Sequence, residues 1–111
     1  MENLDHLKDL AVLNIGDNLI KKIEGIKGCT NLDTLYIARN NIGRNGLDDV
    51  RELVDCKKLS CLDIQHNKIE EPEVLQEVFM KMPNLKVLYL QGNPVTKKIK
   101  NYRKTIISSL P

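Results

Sequence analysis

A chain of 111 residues with 41% apolar and 29% charged side chains has the size and balance of one soluble domain that buries a modest core. Its formal charge of +2 is too small to imply a nucleic-acid partner by itself. No apolar run nears the length that crosses a bilayer and no charged-then-apolar leader opens the chain, so neither membrane insertion nor secretion is expected.

One phrase recurs along the chain, as "LNIGDNL" from Leu13, "LYIARNN" from Leu35, "LDIQHNK" from Leu62 and "LYLQGNP" from Leu88. Counting each copy from the preceding leucine at Leu10, Leu32, Leu59 and Leu85 gives L-x-x-L-x-L-x-x-N-x-L, filled four times at spacings of 22, 27 and 26 residues. The central alternation of apolar and variable positions is that of a short strand with one face inward. A single repeat cannot bury its own apolar side, whereas stacked copies bury a continuous ladder. The spacing is that of leucine-rich repeats. The expected fold is therefore α/β: a leucine-rich-repeat solenoid with a short parallel sheet on its concave side and helices or irregular turns on its convex side.

In chain order, residues 1–9 read as a half-repeat, with Met1, Leu4 and Leu7 in the places that Ile23, Ile26 and Cys29 hold later. Repeat 10–31 turns at Asn18 and returns through Ile23, Ile26 and Cys29, whose three-residue spacing fits a tight or irregular segment. Repeat 32–58 returns through Leu47, Val50, Leu53 and Val54, at helical spacing. In repeat 59–84, Pro72 opens a helix with Leu75, Val78, Phe79 and Met82 on its apolar face, and Pro83 ends it. Repeat 85–98 leads into a capping helix over 99–111, with Ile99, Tyr102, Ile106 and Leu110 as its apolar face. Asn18, Asn40, Asn67 and Asn93 read as structural, their buried amides bonding the turns. With a half-repeat at its start, the chain is expected to be a piece of a longer solenoid.

The letters that differ between copies lie at the outward strand positions. Asn14, Tyr36, Asp63 and Tyr89 form one column, beside Val12, Thr34, Cys61 and Val87 on one side and Gly16, Ala38, Gln65 and Gln91 on the other. Asp17, Arg39, His66 and Gly92 follow at the rim. Four strands about 4.8 Å apart present a platform roughly 15 Å across. Tyrosine is enriched at binding hot spots, although aromatics also suit strands as plain cover. The candidate partner-binding residues are Asn14, Tyr36, Arg39, Asp63, Gln65, His66, Tyr89 and Gln91.

Cys61, Asp63 and His66 share that side but lack the ligand number and enclosure of a zinc site. They equally lack the pocket that a catalytic nucleophile and its base require. No catalytic residue, cofactor or metal is expected. "GRNG" from Gly43 lacks the spacing and the lysine of a phosphate loop. Three cysteines, an odd number in no metal-like spacing, argue against a disulfide framework and for a reducing compartment. Cys29 and Cys56, at matching return positions, read as core thiols. Lys97, Lys98, Lys100, Arg103 and Lys104 crowd the tail: a solvated helix face, or an electrostatic site for an acidic partner segment and less readily for RNA phosphate.

The second half of the chain adds a resemblance. "HNKIEEPEVL" from His66, "MPNLKVL" from Met82 and "GNPVTKKIKNYRKTI" from Gly92 resemble the leucine-rich-repeat axonemal dynein assembly factors of ciliated eukaryotes. The resemblance implies a non-enzymatic cytoplasmic factor, associated with cilia or flagella, with dynein chains or assembly chaperones among its protein partners. That family carries further repeats and long additional regions. The "GNP…NYR" pattern is also shared in part with spliceosomal leucine-rich-repeat subunits, which gives the alternative of a subunit binding a small RNA-binding protein.

Overall fold

The computed structural model describes residues 10–26 and 29–98, apart from the side chain of Leu75. The half-repeat over 1–9 and the capping helix over 99–111, with Lys100, Arg103 and Lys104, lie outside the described residues. Each copy of L-x-x-L-x-L forms a three-residue strand: β1 (Val12–Asn14), β2 (Thr34–Tyr36), β3 (Cys61–Asp63) and β4 (Val87–Tyr89). They pair in parallel in the order β1-β2-β3-β4. The register matches the repeat letter for letter, so Leu13, Leu35, Leu62 and Leu88 stand side by side.

Backbone pairing runs on beyond the strands. Ile15, Ile37 and Ile64 each donate an N–H to the next repeat, at Tyr36, Asp63 and Tyr89. Two residues later Asp17, Arg39 and His66 do the same, to Ala38, Gln65 and Gln91. These three donors share a positive φ of 58°, 55° and 54°, and Gly92 continues the series at 78°. The left-handed turn at this position swings the chain out of the sheet and brings the following asparagine beneath it.

The asparagines then stitch the repeats together. Asn67 donates through Nδ2 to the carbonyls of Ile37, Ile64 and Gln65, each at 3.1 Å, and its Oδ1 accepts from the Ile42 N–H. Asn40 and Asn93 repeat the pattern one copy earlier and one later, accepting from Ile20 and Ile69. All three are buried. Asn18 departs from the expectation of a buried amide: it is exposed, and its Nδ2 bonds only its own turn, at Ile15 and Gly16. Among the described residues no earlier repeat lies under it.

The returns after Ile42 and Ile69 are tighter than their spacing foretells. After Ile20 the described residues contain no helix, and Ile23, Ile26 and Cys29 are buried, as expected of an irregular return. After Ile42 the helical spacing resolves into two 3-10 helices, Gly46–Asp49 and Arg51–Asp55, burying Val50 and Leu53 with Leu47 and Val54 half-buried. After Ile69 the helix is a single α turn, α1 (Val74–Glu77), followed by a 3-10 turn, Phe79–Lys81. Val74 joins Val78, Phe79 and Met82 in the core there, a position absent from the expected apolar face. Spacings of three residues serve both helix types, and the tighter one suits returns this short.

Two carboxylates hold these returns. Asp49 is 2% exposed, and its Oδ2 accepts from the N–H groups of Gly43 and Asn45. Glu52 Oε2 accepts from Ile26 N–H at 2.8 Å, bracing one repeat against the one before it.

Candidate functional site

Alternation along each strand puts the leucines in the core and the variable residues in the open. Asn14, Tyr36, Asp63 and Tyr89 are register partners across all four strands. Tyr36 is 38% and Tyr89 44% exposed, and Val12 and Val87 in the adjacent column are 53% and 40% exposed. Asp63 and Cys61, between the two tyrosine-bearing strands, are half-buried. The outward strand positions therefore combine two tyrosines, two valines and Cys61 with the polar Asn14 and Thr34, and carry one carboxylate near the middle.

Gln65 tethers that carboxylate. Its backbone N–H and its Nε2 donate to Asp63 Oδ1 at 3.2 and 2.9 Å. At the rim, the Arg39 guanidinium grips Asp17 through Nε to Oδ1 and through Nη2 to Oδ2, the latter at 3.3 Å. This pairing holds the Asp17 carboxyl below its ordinary range and raises Arg39. Both partners are well exposed, so the pair orients the rim more than it stabilises the fold. His66 is exposed beside Gly92, where any Cβ would stand 2.1 Å from His66 Nδ1. The glycine is what lets the imidazole lie there. Gln91 is exposed, and its carbonyl accepts the His66 N–H. Asn14, Gly16, Asp17, Tyr36, Ala38, Arg39 and Asp63 together line a recess of about 220 Å³.

Cys61 and Asp63 point to the same face, five and three residues before the rim where His66 sits. Burial, then the charges of Asp63 and Asp33, push the Cys61 thiol up, the opposite of what activates a nucleophile. Among the described residues no three His, Cys, Asp or Glu side chains gather closely enough to hold a metal ion. The buried Cys56 thiol is pushed up to about 12 by burial and then by Glu52, Asp55 and Cys29. Of the tail cations, Lys97 and Lys98 are exposed at the end of a 3-10 turn, Pro94–Lys97.

Asp33 is a residue that the sequence reading passed over. It flanks β2 on the side opposite the rim, with Ser60 Oγ on its Oδ1 and Thr34 Oγ1 on its Oδ2. The signal was available, since Asp33 and Ser60 hold the same place in consecutive repeats, one residue after the opening leucine.

Family models of leucine-rich repeats match residues 8–44, as two copies, and residues 55–71. The leucine-rich repeat-containing protein ODA7 of Chlamydomonas reinhardtii is 46% identical over 65 residues, 59% of this chain and 15% of that protein. Dynein axonemal assembly factor 1 of Homo sapiens is 47% identical over 58 residues, 52% of this chain and 8% of its own length. The homologue of that factor in Drosophila yakuba is 45% identical over 76 residues, 68% of this chain and 5% of its own length. The chain thus spans a small part of each of these relatives. In fold it is similar to a chain of the Drosophila melanogaster SNF/U2A' complex, with a TM-score of 0.76 at 24% identity over 99% of this chain and 63% of that one. An internalin of Listeria monocytogenes gives 0.69 at 24% identity over 98% of this chain and 29% of that one. The structural likeness concerns the fold alone; the repeats and the sequence relatives together support the leucine-rich-repeat axonemal dynein assembly factor family.

Proposed function

We propose that this chain is a non-catalytic interaction module that docks a protein partner on its concave sheet face, within the cytoplasmic assembly of axonemal dynein arms. The carrying observation is the register column Asn14–Tyr36–Asp63–Tyr89, whose two tyrosines stand exposed on an open sheet. A scaffold that repeats its core letters and varies its outward ones concentrates its individuality on that face. Leucine-rich repeats favour a protein partner, and similarity to dynein axonemal assembly factors favours one from that assembly process, such as a dynein chain or an assembly chaperone. Arg39, Gln65, His66 and Gln91 extend the face to its rim.

The exposed tail cations Lys97 and Lys98, with Lys100, Arg103 and Lys104 following in sequence, form a second, electrostatic element for an acidic segment of the same partner. The test is affinity purification of the tagged chain from cells that are building motile cilia. Dynein chains or their chaperones in the eluate are the expected result. Spliceosomal proteins in their place would contradict the reading.

A further inference from the structure

We infer that the concave face receives a lysine or arginine side chain of its protein partner, its charge on Asp63 and its stem between Tyr36 and Tyr89. The inference rests on the concave-face reading above and adds the partner's chemistry.

Among the eight outward positions of the four strands, Asp63 is the one charged residue. Its register neighbours on either side are tyrosines. Strand spacing puts the two tyrosine backbones roughly 10 Å apart with the carboxylate midway, which leaves the width of one side chain between them. A cation there meets a carboxylate and two electron-rich rings.

The other carboxylates of the face are already engaged. Asp17 is held by Arg39, and Asp33 takes one hydroxyl on each oxygen, from Ser60 and Thr34. Asp63 differs. Among the described residues both hydrogen bonds to its carboxylate arrive at Oδ1, and both come from Gln65. Oδ2 keeps its accepting capacity, and the tether fixes where it sits. Among the described residues, no cation of the protein occupies the place. Arg39 is bound to Asp17 at the rim, although Asp63 lies close enough to reinforce its charge. Lys86 flanks β4 in the position that Asp33 holds beside β2, and it is exposed. Half-burial of Asp63 weakens water's competition for it without hiding it.

The test is selection of short random peptides displayed on phage against the full chain, followed by calorimetry of the enriched peptides with three forms of the protein. Asp63→Asn keeps an oxygen for Gln65 and removes the charge; Tyr36→Ala with Tyr89→Ala removes the walls; melting curves establish that each variant is folded. The expected peptides carry a shared basic residue, bind Asp63→Asn about tenfold or more weakly, and lose as much when that residue becomes norleucine. Peptides that need the tyrosines but no basic residue would overturn the cation inference and leave the docking face standing. Peptides indifferent to all three substitutions would overturn both. A selection that enriches nothing would count against the inference as well.

Discussion

Asn40, Asn67 and Asn93 each commit the whole amide to backbone groups, and each joins two repeats: the oxygen takes an N–H from the copy before, while Nδ2 holds carbonyls of its own copy and of the one before. That role was legible in the sequence, because a polar residue that recurs eight places after each opening leucine must be satisfied where it is buried. The exposure of Asn18 was not legible, since it depends on which repeat lies beneath. Asn67→Ala removes a partner from buried groups at Ile42, Ile37 and Ile64, and is expected to cost about 1 to 3 kcal/mol in chemical denaturation. Asn14→Ala, which loses one exposed 3.2 Å bond to the Gly16 N–H, is expected to change stability by no more than about 0.5 kcal/mol. Equal losses would show that the repeat register is misassigned.

At the scale of elements, the strands and the irregular first return were readable and the returns after Ile42 and Ile69 were not. Alternation across three residues marks a strand whatever its neighbours, whereas Leu47, Val50 and Leu53 satisfy an α-helix and a 3-10 helix alike. What decides between them is the tight turn at Gly43, where φ is 110° and an added Cβ would stand 2.7 Å from the Ile69 backbone. Asp49 then closes that turn by taking the Gly43 N–H. No spacing rule announces such a carboxylate. Gly43→Ala is accordingly expected to lower the melting temperature sharply, because backbone must give way. At Gly92 the obstacle is the exposed His66 side chain, which can swing aside, so Gly92→Ala is expected to lower it much less, by what the left-handed φ alone costs. Similar losses at both positions would contradict this account of the turn.

The same returns bury Cys56. Its thiol has an ordinary value of 9.0 and is pushed up to about 12 in the fold. Below the ordinary value both folded and unfolded chains keep the proton. Between about 9 and 12 the unfolded chain releases it while the folded chain retains it, so stability falls as pH rises through that window. Cys56→Ala is expected to flatten the alkaline limb of a stability-against-pH curve. An unchanged slope would show that this thiol is not excluded from water as the packing requires.

For the whole molecule, the division between a repeated interior and a variable sheet face was visible in four aligned phrases. Their arrangement was less so. The Asp17–Arg39 pair and the His66 seat over Gly92 arise from residues that stand far apart in sequence, and the Gln65 tether on Asp63, although local, depends on how the chain leaves the strand. A linear reading can nominate Arg39, Gln65 and His66, but only the folded register shows what each one touches. The strand face carries valines at its edges and tyrosines beside a single tethered carboxylate, with a polar rim, a composition suited to one docked protein segment.

The most direct measurement of that claim compares the tagged chain with its Tyr36→Ala, Tyr89→Ala double variant in ciliated cells, by quantitative mass spectrometry of what each retains, alongside their melting temperatures. Both tyrosines are exposed, so their removal is expected to leave the melting temperature nearly unchanged while the partner proteins retained by the parent chain are depleted about tenfold or more, as loss of hot-spot anchors demands. The same proteins retained at the same levels by a fully folded double variant would contradict the concave face as the docking surface.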